Sequence, residues 1–241
     1  MTRARELYRE GKLSEAIGSL QDYLRGQPSD PAARVFLFEL LCFAGEFSRA
    51  TRQLDALSGC AGDYDGLIRL YGAALQAEAV RQQSPPSVLA AGAAAPVRAT
   101  VDGRECAGLT DADEALGPRL EIIGGTEFRR LPFCLISRIE IAPPKRLRDL
   151  YFLPARVETG PQLDNFSFVQ VLIPCLYAGS FRHEDELLKL GRTTEWFGDD
   201  SGAVRPAGLR LLRAGEEEIA ITDVRLIEFA ANEASTAGQG K

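Results

Sequence analysis

Residues able to carry acid–base or nucleophilic chemistry are few in this chain of 241 residues. His183 is the sole histidine, and a catalytic histidine needs a nucleophile and an orienting group beside it. No serine lies in a GxSxG sequence, and the HExxH, GxxxxGKS/T and GxGxxG patterns are absent. We therefore expect His183 to be a surface residue at the start of a helix, and the sequence predicts no enzyme, no catalytic residue and no cofactor.

Two acidic pairs are the candidates for cation binding. Asp111 and Asp113 are two positions apart, and Asp199 and Asp200 are adjacent. A calcium loop needs more oxygen ligands than this, with glycine and glutamate at fixed positions that the following residues do not supply. We expect the first pair in a turn or helix cap and the second in a hairpin turn, so no metal site is predicted.

The charge distribution argues against nucleic-acid binding. The net charge is −6 and the isoelectric point about 5.1, whereas nucleic-acid binders usually carry a basic stripe. The basic run Lys145-Arg146-Leu147-Arg148 is short and is followed by Asp149. It is expected to be a solvated corner rather than a phosphate site.

Cysteine spacing and hydropathy indicate a cytoplasmic protein. The five cysteines are odd in number and never form a CxxC pair, which favours reduced thiols over a disulfide framework or a zinc site. No apolar stretch approaches the roughly 18 residues of a membrane span. The first residues lack the apolar segment of a secretory signal.

The secondary-structure elements that would position a functional site are indicated first by a sequence repeat in residues 1–83. Several residues recur at an interval of 34 positions, which is typical of a tetratricopeptide array. The alternative is an irregular helical bundle without a groove. The matching sets are Leu7, Leu41 and Leu75; Gly11 and Gly45; Ala16 and Ala50; and Leu20 and Leu54.

The apolar spacing predicts five helices in this region. The first is short and stops at Gly11, and Ser14 is expected to cap the second. Asp30 is expected to cap the third, with Pro31 in its first turn. The last would be a lone helix that caps the array. The helices after the first are predicted at residues 14–26, 31–44, 48–58 and 64–83.

A repeat array of this kind places its first helices on a concave face. That face would be mainly apolar, which suits an amphipathic partner helix laid in a groove. The alternative is that the C-terminal half of the chain packs there. The residues predicted to line this face are Val35, Glu39, Cys42, Phe43, Arg69, Ala73 and Gln76.

The rest of the chain is predicted to form a linker and a second domain. Residues 84–102 are rich in proline and alanine and are read as a linker. Residues 103–230 are expected to form an antiparallel-rich α+β domain, followed by a flexible tail at 231–241. Gly124-Gly125 marks a hairpin, and a helix is predicted at 184–190. Further strands are predicted at 136–141, 151–157, 166–173, 204–213, 218–221 and 225–229.

The order and spacing of short motifs resemble the ImpE family, also called TagJ or SciE-type, whose members are accessory proteins encoded with bacterial type VI secretion systems. The helical motifs are Gly11-Lys12-Leu13, Glu15-Ala16, Arg34-Val35-Phe36-Leu37-Phe38-Glu39-Leu40-Leu41-Cys42, Gly45, Ala50 and Gln53-Leu54-Asp55. The later motifs are Asp111-Ala112-Asp113, Leu116-Gly117-Pro118, Leu131-Pro132-Phe133, Ile136, Ile139, Leu147-Arg148-Asp149-Leu150, Pro154-Ala155, Ile173-Pro174, Tyr177, Gly179-Ser180, Arg192-Thr193-Thr194-Glu195-Trp196 and Asp223-Val224-Arg225.

The chain departs from that family at identifiable places. Family members carry a further helical segment where this sequence has the stretch 84–100. Aromatic residues expected just before Asp111-Ala112-Asp113 are Cys106 and Gly108, and an arginine expected just after it is Ala115. The chain resembles a shortened, divergent member.

The resemblance implies a cytoplasmic, non-enzymatic adaptor. Such proteins bind the terminal helix of the small subunit of the contractile sheath and are linked indirectly to a ClpV-type AAA+ ATPase that recycles the sheath. Two alternatives remain: an enzyme or ligand-binding domain on a repeat scaffold, and a general assembly scaffold without sheath contact. A polar cluster forms either a second binding surface or buried hydrogen-bonded pairs. Its members are Arg148, Asp149, Tyr177, Ser180, Arg192, Glu195 and Trp196.

Overall fold

A computed structural model describes residues 1–84, 86, 96–163, 167–198, 202 and 204–230, without the side chains of 167–169. Helices form the first part and a large antiparallel sheet the second, so the predicted α+β class is confirmed. The predicted Asp199-Asp200 turn, the tail at 231–241 and the first residue of the predicted strand 166–173 lie outside the described residues.

Five helices form the N-terminal part, close to the predicted bounds. The fifth differs by one residue from the prediction, and the fourth ends three residues early in a 3-10 turn, Ala56–Gly59. The helices are α1 (Thr2–Arg9), α2 (Leu13–Gly26), α3 (Pro31–Phe43), α4 (Phe47–Asp55) and α5 (Asp65–Gln83).

The two predicted helix caps have different outcomes. The carboxylate of Asp30 accepts hydrogen bonds from the backbone N–H groups of Ala32 and Ala33, so it caps α3 as predicted. The predicted cap at Ser14 is wrong, because Lys12 occupies the N-cap position of α2. Ser14 instead donates from its backbone N–H to the carboxylate of Glu186, at 2.9 Å, so the C-terminal part of the chain closes this helix end.

Twelve strands and one short α-helix follow in the part of the chain that the structure describes. The short helix is α6 (Glu186–Lys189), and Asp185 caps it. The strands are β1 (Val97–Val101), β2 (Arg104–Asp111), β3 (Arg119–Gly124), β4 (Glu127–Pro132), β5 (Ile136–Ile141), β6 (Phe152–Thr159), β7 (Ser167–Pro174), β8 (Thr194–Gly198), β9 (Val204–Gly208), β10 (Leu211–Ala214), β11 (Glu217–Ala220) and β12 (Leu226–Phe229).

Ten of these strands make one sheet in the order β11-β10-β2-β1-β12-β5-β6-β7-β3-β4. The pairings within it are antiparallel, and β3 and β4 form the hairpin predicted at Gly124-Gly125. Strands β8 and β9 form a separate two-stranded sheet. Strand β1 lies inside the range predicted to be a linker. This segment is a strand because its residues pair with both β2 and β12.

The predicted strand 204–213 is two strands in two different sheets. Gly208 ends β9 with a φ of +101°, a conformation that favours glycine, and a Cβ there would overlap the carbonyl of Thr193. The chain turns at this point and enters the large sheet as β10. The turn at Gly208, followed by Leu209 and Arg210, therefore separates the two sheets.

The helices and the sheet share one hydrophobic core. Helix α5 packs against β3 and β4, and its Tyr71 ring lies 6.1 Å from the ring of Phe152 at the start of β6. The repeat turns are also covered: Gly11 lies against Leu187, and Gly45 against Phe181. The helical part is thus stabilised by the sheet rather than standing alone.

Candidate functional site

The structure divides the predicted concave face into a covered part and an open part. Glu39, Cys42 and Phe43 are buried. The sheet half of the chain covers this part of α3: the ring of Phe43 packs edge-on against Tyr151 at 5.3 Å. A partner helix has no access to Cys42 and Phe43 in this arrangement, which is the alternative that the C-terminal half packs on this face.

The seven predicted residues do not form one surface. Arg69 and Gln76 on α5 are exposed, and Ala73 is half-buried. Of the seven residues, Val35 and Glu39 line an open groove, and Arg69, Ala73 and Gln76 do not.

We call this open groove the junction groove, because both halves of the chain line it. Its volume is about 660 Å³. The helical half contributes α1, the start of α3 and the start of α5, and the sheet half contributes the segment before β6. The lining residues are Arg5, Tyr8, Arg9, Pro31, Ala32, Val35, Phe36, Glu39, Tyr64, Leu67, Lys145, Arg146, Leu147 and Arg148.

A buried ion pair joins the two halves at the base of the junction groove. The guanidinium of Arg148 donates to the Glu39 carboxylate at 2.7 Å, and both side chains are less than a tenth exposed. Burial raises the pKa of Glu39, and the hydrogen bond and charge of Arg148 oppose that rise. Arg148 also lies 5.4 Å from the centre of the Tyr71 ring. The predicted solvated corner is therefore wrong for Arg148.

The neighbouring residue Asp149 is also structural. It is buried, and its carboxylate accepts hydrogen bonds from the backbone N–H groups of Lys145 and Arg146. This closes the 3-10 turn Leu147–Leu150 that carries Arg148. Asp149 thereby positions the rim of the junction groove without facing into it.

The rest of the predicted polar cluster is split between structural contacts and an exposed strand. The Tyr177 hydroxyl bonds Asp111 at 3.1 Å, and the Ser180 hydroxyl donates to the Tyr177 carbonyl at 2.6 Å. Arg192 donates to backbone carbonyls at the end of α1. Glu195 and Trp196 are exposed on β8. Four of the seven members, namely Arg148, Asp149, Tyr177 and Ser180, are buried in hydrogen-bonded contacts.

A buried charge network, not predicted from the sequence, connects α5 to the sheet. Arg81 is fully buried and donates to both Glu78 and Glu121. Arg210 is also fully buried, pairs with Glu121, and has its guanidinium 3.6 Å from Asp111. Arg130 on β4 adds a third guanidinium through Glu121. Among the described residues, the network therefore joins three carboxyl groups and three guanidinium groups.

The network shifts the pKa values of two carboxyl groups in opposite directions. Three arginines around Glu121 outweigh its burial and lower its pKa to about 2. Asp111 has Arg210 as its nearby cation and is fully buried, so its pKa rises to about 7. One oxygen of Asp111 and two nitrogens of Arg210 have no hydrogen-bond partner among the described residues. Asp111 and Asp113 do form a turn, in which Asp111 accepts from the backbone of Asp113.

The raised pKa of Asp111 predicts a measurable pH dependence. The folded chain holds this proton at pH values where the unfolded chain releases it, so stability is present at low pH and is lost as pH rises towards 7. Replacing Asp111 with asparagine should remove about 2 kcal/mol of the fall in unfolding free energy between about pH 5 and pH 7. Urea unfolding of both proteins at each pH measures the difference.

That comparison has internal controls. The raised pKa of Glu39 acts in the same direction but is present in both proteins. The lowered pKa of Glu121 changes the unfolding free energy mainly below pH 5, outside the pH range of this comparison. Parallel pH curves for the two proteins would contradict an Asp111 carboxyl that is protonated in the folded state.

A second cavity, of about 600 Å³, lies between the end of α5 and the sheet half. Glu121, Asp113 and Tyr177 line it, but arginines and backbone groups already engage all three. Among the described residues, no three His, Cys, Asp or Glu side chains are placed to hold a metal ion, and all five cysteines are free. No helix in the same residues is long and apolar enough to cross a membrane.

Comparison with known proteins gives a consistent picture. Residues 103–228 match the model of the ImpE protein family, and residues 7–70 match a tetratricopeptide repeat model. The chain is 31% identical to the type VI secretion system accessory component TagJ of Pseudomonas aeruginosa, over 96% of this chain and 92% of that protein. A crystal structure of protein VPA1032 from Vibrio parahaemolyticus has the same fold, with a TM-score of 0.84 at 19% identity, covering 96% of this chain and 99% of that one.

Proposed function

The chain belongs to the ImpE protein family, and from this premise we propose that it is an accessory component of a bacterial type VI secretion system. The support is the similarity to TagJ of Pseudomonas aeruginosa along nearly the whole of both chains. The tetratricopeptide-like helices support a role in binding other proteins.

In finer terms, we propose a cytoplasmic, non-enzymatic adaptor. It binds the terminal helix of the small subunit of the contractile sheath and is linked indirectly to sheath recycling by a ClpV-type AAA+ ATPase. The observation that carries this proposal is the junction groove, since the rest of the predicted concave face that lies on α3 is covered by the sheet half.

The chemistry of the groove suits a helix. Its apolar side chains come from three segments: Val35 on α3, Leu67 on α5 and Leu147 before β6. All three are partly exposed, so they offer apolar surface to a partner. An amphipathic helix presents apolar residues at spacings of three and four, and such a stripe covers a floor built from several segments.

A glutamate at position 35 should therefore weaken binding of the sheath helix by at least about tenfold, because it places a charge under the apolar stripe of the partner. The measurement is fluorescence anisotropy with a labelled peptide of the cognate sheath terminal helix and the full-length chain. The matched control is Val80→Glu, since Val80 is 54% exposed on α5 and does not line the groove.

Full-length variants are required, because the helical half buries Arg81 and Glu78 against the sheet. Equal loss of binding in the Val35 and Val80 variants would contradict the groove as the site. No binding of the peptide by the unmodified chain would contradict the sheath adaptor role and favour a general scaffold.

A further inference from the structure

The junction groove is basic although the whole chain is acidic. Five guanidinium or ammonium groups and one carboxylate line it, a net excess of four positive charges, while the chain carries a net charge of −6. The positive charge of Arg148 is neutralised by its ion pair with Glu39 at the base of the groove. The excess therefore resides on four side chains: Arg5, Arg9, Lys145 and Arg146.

These four side chains are available to a ligand. All four are exposed. Among the described residues, none of them makes an ion pair. The neighbouring acids on α1 are engaged elsewhere, since Glu6 pairs with Arg3 and Glu10 with Lys12.

The four charges come from both halves of the chain and share the groove with apolar side chains. Arg5 and Arg9 are four positions apart on α1 and so lie on one face of that helix. The Asp149 carboxylate accepts hydrogen bonds from the backbone N–H groups of Lys145 and Arg146, whose side chains are exposed. The partly exposed Val35 and Leu147 line the same groove.

We propose that the junction groove selects an acidic amphipathic helix, one whose apolar stripe is flanked by aspartate and glutamate. This rests on the proposed function and narrows the class of partner that the same groove accepts. The apolar floor supplies contact area, and the four basic side chains supply orientation and discrimination against basic helices. A helix flanked by lysine and arginine would face four like charges.

A pair of designed peptides tests this without knowledge of the natural partner. Both are capped helices of about 18 residues with the same leucine stripe, one flanked by glutamate and the other by lysine. The glutamate peptide should bind the full-length chain at least about tenfold more tightly at about 0.1 M salt, and the preference should shrink as salt screens the charges. Equal binding, tighter binding of the lysine peptide, or binding of neither peptide would overturn the proposal.

Charge-reversal variants test whether the basic residues of the groove cause the preference for the glutamate peptide. The double variant Arg5→Glu/Arg9→Glu should lose the preference for the glutamate peptide, and Lys145→Glu/Arg146→Glu provides a second variant if the first fails to fold. The control Arg52→Glu/Arg104→Glu changes net charge equally at exposed positions outside the groove and should keep the preference. A control that loses the preference as well would overturn the proposal.

The two proposals fail separately. If the cognate sheath peptide binds and Val35→Glu weakens it, but the designed pair shows no charge preference, the adaptor role stands and the acidic selection is wrong. If the sheath peptide does not bind while the glutamate peptide binds in the groove, the acidic selection stands and the sheath role is wrong.

Discussion

Replacement of Arg81 with methionine is expected to lower the free energy of unfolding by about 3–5 kcal/mol, the range for removal of one partner from a buried ion pair. Arg81 is fully buried between Glu78 on its own helix and Glu121 on β3. Methionine fills much of the space of the side chain but supplies no donor. Glu78 then loses the ion pair with Arg81, and Glu121 keeps Arg130 and Arg210.

Urea unfolding of the full-length chain measures this loss. The matched control is Arg129→Met, because Arg129 pairs with Glu127 at the surface, where both side chains are more than half exposed and such pairs contribute about 0–1 kcal/mol. A methionine at position 81 that costs no more than the control would show that α5 is held to the sheet by its apolar contacts alone.

Replacement of both halves of such a pair gives a different expectation. A chain with Arg81→Met together with Glu78→Gln removes one buried carboxylate as well as the cation. Because Tyr151 also bonds Glu78, at 2.9 Å, a glutamine oxygen still serves that hydroxyl. The double variant should therefore be less destabilised than the sum of its single changes, since the changes are in direct contact.

Local patterns in the sequence predicted the secondary structure well. The bounds of α5 were predicted within one residue, because the interval of 34 positions extends from α3 into this helix and a proline-rich stretch follows it. The hairpin at Gly124-Gly125 was predicted because two strand-like runs flank a glycine pair. Strand β5 was predicted at its observed bounds from the alternation before Pro143.

Long-range pairing was not predicted. Arg81 and Glu121 are 40 positions apart and Arg210 and Glu121 are 89 apart, so no local pattern connects them. The one local signal is the spacing of three between Glu78 and Arg81 on a helix, which ordinarily marks an exposed pair. Burial of both residues follows from the docking of α5 on the sheet.

The candidate site was predicted in part for the same reason. The period of 34 residues identified α3 as a groove-lining helix, and Val35 does line the junction groove. The period carries no information on which surface the sheet half covers. That half covers Phe43 and adds a basic segment at 145–148, so the groove is built from residues that no repeat pattern brings together.

The second large effect is expected at the repeat turn occupied by Gly45. Substitution by alanine should cost about 3 kcal/mol, because two penalties combine there. The φ angle of +70° is unfavourable for a residue with a side chain, and the new methyl group would overlap the ring of Phe181. Gly103 isolates the first penalty, since its φ is +82° and nothing lies within 4 Å of its Cβ position.

A double-mutant cycle then separates turn strain from docking. Alanine at position 181 frees the space beside Gly45, so in that background Gly45→Ala should cost no more than Gly103→Ala, about 1–2 kcal/mol. Urea unfolding of the four cycle members and the Gly103 variant gives the coupling energy. An unchanged cost at position 45 would mean that Phe181 does not dock against the turn. A positive coupling energy would show that Gly45 has two roles: it allows the turn between two helices, and its lack of a side chain lets Phe181 of the sheet half pack against that turn. Leu187 packs against Gly11 in the same way.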